Sequence, residues 1–336
     1  MSDRVAETIP TTVDFPIPLP GQRQGDGWTV RAGDIRLRLT NPGKVFWPET
    51  GYTKGDLLTY YFNVGTTIVP HLRDRPLTMK RQPDGVAGVY FYEKDAPGYT
   101  PRWMPTLAVR AETEDRIINT LSVCDVASLL FVVNLGCIEL HPWLARGPRQ
   151  ARPTYAVFDL DPFPPAGWSE VRHVAKLVKL VLDRLDLPSY PKTSGGSGAQ
   201  LFIPLDENYG FGEVRRVVQA ICRLVHEADP ETTTLEWEVS RRAGKVFLDA
   251  NMNRRAASFA SVYSVRAGWE APVSVPFAWE EIGNIDPGAF TLATALRRIE
   301  AYGDLFAPTL KDGASLARAV DMLDLAGSDA GSSDGR

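Results

Sequence analysis

The chain has 336 residues, 44% hydrophobic and 23% charged, and a formal net charge of -4. This is enough apolar material for one large domain or two joined ones, and the acidic balance excludes a module that is basic overall, though not a local basic groove. Three cysteines in apolar surroundings, without a CxxC pair, exclude a disulfide or zinc framework and fit a reducing cytosol.

Residues 1–29 are rich in Pro, Thr and Gly, show no period, and are expected to form an irregular arm without the basic-then-apolar form of a signal peptide. IRLRLT (35–40) alternates as a strand. TKGDLLTYYFNVGTTIVPHL reads as a helix with Thr53 as N-cap and Asp56 in its first turn, and SVCDVASLLFVVNLG as another. The longest apolar run, 129–135, is too short to span a membrane, so a soluble, cytoplasmic protein is expected.

The second half carries a clearer pattern. TYAVFDL (154–160) is a strand. WSEVRHVAKLVKLVLDRLDL follows as an amphipathic helix, with Ser169 as a possible cap. SYPKT is extended, GGSG is a turn, and QLFIPL is a strand. FGEVRRVVQAICRLVHEA is a second amphipathic helix, and KVFLDAN (245–251) is the last strand. The order is β-α-β-β-α-β, in which the first and last strands are neighbours.

VFDLDPF (157–163) places two acids in an apolar strand. Side chains at i and i+2 share a face, so Asp159 and Asp161 project together, and Asp249 on the adjacent strand can join them. Three carboxylates on one face repel unless a cation compensates them. Hard oxygen donors suit Mg²⁺ or Mn²⁺, and two such ions can activate an attacking oxygen and neutralise a leaving pyrophosphate. The plainer reading is acids that end strands and face water. KTSGGSGAQ (192–200) can nest a phosphate or simply turn a hairpin. Arg266, and Lys80 with Arg81, can clamp phosphates or be solvated charges. Lys44 and Lys54, with Asn41 nearby, can hold a terminal phosphate. Phe91 and Tyr92 can stack on bases or belong to a core. His141 in ELHPW is a site residue or a satisfied structural histidine.

In family order, the stretches NPGKVFWP, TKGDL, RPLTMKRQPDG, FYEKDAP, NLGCIELHPW, FDLDPF, KTSGGSG, VFLDAN and YSVRA resemble the polymerase domain of bacterial ligase D, in the archaeo-eukaryotic primase superfamily. The resemblance covers roughly residues 30–310. It implies an α+β primase-type fold with a ferredoxin/RRM-like βαββαβ catalytic core (151–310) and an N-terminal α/β subdomain (30–150), followed by a C-terminal helix (311–325) and a disordered tail (326–336). It further implies that Asp159, Asp161 and Asp249 bind two divalent ions, Mn²⁺ or Mg²⁺. Lys80, His141, Ser194, Gly195, Gly196, Gln200 and Arg266 would contact the incoming NTP or dNTP. Asn41, Lys44 and Lys54 would recognise a 5′-phosphate, and Phe91 and Tyr92 would stack near the template. The implied activity is primase-polymerase nucleotidyl transfer at gaps or broken ends in non-homologous end joining, including ribonucleotide incorporation, on nucleoid-associated DNA.

Three positions depart from the family pattern: Ser197 replaces a lysine, Gln200 a histidine and Met252 a glutamine. They fall in the nucleotide pocket and raise an alternative, a catalytically weakened module that binds DNA ends through a 5′-phosphate. No ligase or nuclease motif fits this length, so an ATP-dependent ligase and an end-binding protein are expected in trans.

Overall fold

The computed structural model describes residues 18–25, 27–110, 116–311 and 313–323. Residues 1–17 of the expected arm and the expected tail, 326–336, lie outside them. The rest of the arm departs from expectation. Gly21–Gln24 and Gly27–Ala32 are strands that continue through Ile35–Leu39 into an antiparallel meander. Val30, Leu37 and Leu39 are buried beneath it, and their burial outweighs the surrounding glycines.

Thr53 caps the helix Lys54–Leu72 as expected: its hydroxyl accepts from Asp56 N, and the Asp56 carboxylate accepts from Thr53 N at 2.7 Å. The next helix starts later than its apolar run, at Val126, because Asp125 and Ser128 form a reciprocal cap. A three-stranded sheet, ordered Phe91–Glu93, Leu77–Arg81, Cys137–Pro142, completes this half beside the hairpin of Thr106–Arg110 and Ile117–Leu121. Among the described residues, no helix is long and apolar enough to cross a membrane.

The β-α-β-β-α-β reading holds. Tyr155–Pro162 lies between Ala199–Pro204 and Val246–Asp249, antiparallel to both; Tyr190–Thr193 forms one edge, and a two-residue strand, Thr233–Thr234, extends the other. The helices Trp168–Arg184 and Phe211–Ala228 cover one face. Val214, Val217, Val218, Ile221 and Val225 are all buried there, each contributing about 1.5–3 kcal/mol. Ser169 is not the cap. Gly167 occupies that position, and Glu170 reaches back to its N–H at 2.7 Å, leaving Ser169 inside the helix.

Alternation along the central strand divides its two faces. Ala156, Phe158 and Leu160 pack against the helices. Tyr155 and Val157 pack the other way, into the N-terminal half, and the same face continues to Asp159 and Asp161. Phe259, Val265, Val273 and Phe306 return to that N-terminal cluster, so the segment after the last core strand closes the seam between the halves. Within the expected C-terminal helix, 311–325, Ala317–Met322 is helical among the described residues.

Candidate functional site

Asp159 and Asp249 are direct register partners on neighbouring strands, and Asp161 lies two residues along on the same face. Burial pushes the Asp159 carboxyl well above its ordinary range, and the charges of Asp161 and Asp249 add to the shift. Burial and the Asp249 charge raise Asp161, although Arg242 and Arg266 oppose them. Burial likewise raises Asp249, against a hydrogen bond from Asn251 N at 2.8 Å. Arg242, Arg266 and the Gln200 amide offset this acidic face only in part, and its oxygens suit a hard divalent cation. Asp159, Asp161 and Asp249 would be the residues to hold such an ion.

A cationic group stands beside them, organised by a residue the sequence reading missed. Glu139 is 2% exposed and meets Lys80 at 2.7 Å, Arg266 at 2.8 Å and His141 at 3.0 Å. It also accepts from Ala267 N at 3.1 Å. Burial alone would raise its pKa, but the His141 hydrogen bond and the Arg266 charge hold it well below the carboxylate range. Burial lowers the His141 pKa despite the carboxylate. Lys80, His141 and Arg266, remote in sequence, are thus brought together around one buried carboxylate.

Arg266 also ties this group to the glycine turn, donating to Ser194 O at 2.6 Å. Ser194 Oγ accepts from Gly196 N at 3.2 Å and Gly198 N at 3.1 Å. Gly195 has φ +73°, and a Cβ there would stand 2.5 Å from Arg266 Cγ, so only glycine lets the arginine approach. Ser197 is exposed on this turn, whereas Met252 packs partly buried against the N-terminal core.

Gln200, expected to contact the nucleotide, is hydrogen-bonded within the fold. It is buried, paired in register with Asp159, and its Nε2 donates to Asp159 Oδ1 at 3.0 Å. Its Oε1 accepts from Lys192 Nζ at 2.6 Å. An ammonium only donates, which fixes the amide orientation. Lys192, a second residue missed, is fully buried; burial and then the Arg266 charge push it down to about 7. Gln200 therefore links a buried lysine to the acidic face. Outer-shell partners of this kind tune affinity or activity by 10–100-fold. Gln200→Leu is expected to raise the Mn²⁺ concentration for half-maximal extension by about that factor, whereas Gln200→His, which has one donor and one acceptor nitrogen, should stay near wild type. A metal titration of both variants checks this, with binding of Mn²⁺ to the nucleotide-free protein as a second readout.

Asn41 and Lys44 line a cavity of about 700 Å³ at the start of the Lys54–Leu72 helix. Lys44 pairs with Asp84 at the surface. Lys54 lies behind, donating to Thr40 Oγ1 at 3.2 Å; burial and then the Lys44 charge lower it to about 8. Phe91 and Tyr92 are exposed, not core, and Tyr90 extends the ledge. Tyr92 meets the His141 ring edge-on at 6.1 Å, so the ledge borders the cationic pocket.

A βαββαβ sheet with acids on its open face, joined by a shared seam to an N-terminal α/β half, defines an α+β protein of the archaeo-eukaryotic primase type. The family model described as "LigD, primase-polymerase domain" matches residues 53–306, and the chain belongs to that family. It is 34% identical over 278 residues to the multifunctional non-homologous end joining protein LigD of Mycolicibacterium smegmatis, covering 81% of this chain and 36% of that protein. It is 30% identical over 272 residues to the bifunctional non-homologous end joining protein LigD of Bacillus subtilis, covering 80% and 43%. The chain thus spans well under half the length of these relatives. The solved polymerase domain of Mycobacterium tuberculosis ligase D in complex with DNA superposes with a TM-score of 0.77 at 29% identity, over 83% of this chain and 99% of that one.

Proposed function

We propose that this chain is a template-directed nucleotidyl transferase that adds nucleotides at short gaps or broken ends during end joining. The observation that carries this reading is the pairing of Asp159 with Asp249, Asp161 alongside, next to the Glu139-held group of Lys80, His141 and Arg266.

Asp159, Asp161 and Asp249 would hold two divalent ions, which supply charge neutralisation at the reacting phosphate. The chain's own residues do the rest. Lys80 and Arg266 bind the triphosphate and screen it from the acidic face. The glycine turn admits a phosphate close to backbone N–H groups. His141, held through Nε2 by Glu139, presents its ring edge beside Tyr92 and positions the nucleotide. Phe91 and Tyr92 offer a stacking surface for unpaired template bases. Lys44 and Lys54, with Asn41, form a separate seat for the 5′-phosphate of the downstream strand.

The expected result is extension of a gapped, 5′-phosphorylated DNA with NTPs and Mn²⁺, weaker when the 5′-phosphate is replaced by a hydroxyl. A second reading, an end-binding module of weakened chemistry, is favoured by the internal engagement of Gln200. Binding that depends on the 5′-phosphate, with no incorporation at any metal concentration, would select it over the polymerase.

A further inference from the structure

At the end of the central strands opposite the carboxylates lies a cleft of about 620 Å³. Tyr155 lines it, whereas Asp161 is six residues on, roughly 20 Å away at ~3.3 Å per residue. Its lining carries five cations, Arg73, Arg75, Arg146, Arg149 and Lys311, against Asp206 and Glu207. Glu207 is engaged by Arg149 at 3.0 Å.

The other arginines are held by neutral acceptors. Arg73 Nη2 donates to Cys124 O at 3.0 Å, and Arg146 Nη1 donates to Arg73 O at 2.9 Å. Arg75, 1% exposed, donates to Trp143 O at 3.0 Å, Leu144 O at 2.9 Å and Thr154 Oγ1 at 2.6 Å. Carbonyls fix a guanidinium without cancelling its charge. One buried donor of the lining, Arg75 Nε, has no hydrogen-bond partner among the described residues. Clustered, pre-oriented and unneutralised guanidiniums on a chain of net charge -4 are a local device for binding anions, and their fork geometry suits phosphate oxygens.

We propose that this cleft is a second nucleic-acid contact, binding the phosphodiester backbone of duplex DNA away from the reacting end. It rests on the reading of the chain as a DNA-acting enzyme, and gives that enzyme a hold on the duplex that depends on neither the 5′-phosphate nor the nucleotide. Arg75 is too deeply buried to alter without unfolding, so the test uses the cleft's rim. Binding of a blunt duplex with 5′-hydroxyl ends is measured by fluorescence anisotropy over a range of KCl concentrations, without metal or nucleotide, for wild type, Lys311→Glu, and Arg146→Glu with Lys311→Glu. The double variant should bind at least tenfold more weakly at 100 mM salt, and its plot of log affinity against log salt should be shallower by about 1 to 2. Lys311→Glu alone should show a smaller loss with an unchanged melting temperature. Equal affinity and slope in all three proteins would overturn the proposal. Because this readout needs no chemistry, a failure of the extension assay leaves it standing, and active extension does not rescue it.

Discussion

Asp161→Asn is expected to abolish extension, with a loss of about 10³-fold or more, and to leave the metal-free protein at least as stable as wild type. The two effects have opposite signs because the same charge acts in both. With ions bound, the carboxylate neutralises and orients them, and losing several kcal/mol of that stabilisation slows the step tenfold for each ~1.4 kcal/mol. Without ions, Asp161 is a half-buried acid facing Asp249 and Asp159, and burial and like charge both disfavour its ionised form. A carboxyl whose folded-state pKa is raised opposes folding at pH values above its ordinary range, and that opposition fades as the pH falls through the raised value. The amide removes it at neutral pH. Thermal melts in chelator beside single-turnover extension in Mn²⁺ check both signs. An active Asp161→Asn protein would sink the assignment of the site, and a large fall in its melting temperature would show that Asp161 is structural.

Glu139→Leu should behave in the opposite way on stability. This acid is buried with three partners, and removing one member of such a group leaves the others unpaired in a dry environment. A loss of about 3–5 kcal/mol is the usual size for breaking a buried ion pair. Lys80 and Arg266, no longer held by a common anion, would repel each other, and the nucleotide KM should rise more than kcat falls. Glu139→Gln keeps one acceptor oxygen but loses the charge and turns an NH₂ donor toward the cationic partners, and should lie between. Chemical denaturation and steady-state titration with NTP separate the two effects. Unchanged stability for Glu139→Leu would mean that the network is held by the surrounding backbone instead.

Much of this was legible in the sequence because it is periodic or local. The β-α-β-β-α-β order followed from alternation and helical spacing, and it sufficed to bring Asp249 beside Asp159. The Thr53 cap was local chemistry. Glu139 was missed although the same argument applied: it sits in an apolar strand two residues before His141, as Asp159 sits before Asp161. Two of its partners, Lys80 and Arg266, however, come from a strand and a loop far away in the chain. Gln200 was read as a phosphate contact from its place in the glycine motif. Strand register sets it opposite Asp159, and register across a hairpin depends on where the turn closes. The strands Gly21–Gln24 and Gly27–Ala32 were hidden because their glycines and the prolines just before them mimic an arm, while the apolar residues that hold the meander down are few.

The pairing of Val246–Asp249 with Tyr155–Pro162 also bears on how the protein assembles. These strands are separated by two helices and a hairpin, so their contact closes a long loop and belongs to the slow, non-local part of folding. That step carries a like-charge penalty, since it brings Asp249 against Asp159. Refolding of the wild type should therefore be limited by docking of the last strand, and a nascent chain has no acidic centre until nearly all of the core has been synthesised. The juxtaposition of Asp159 and Asp249 does not exist before the fold does.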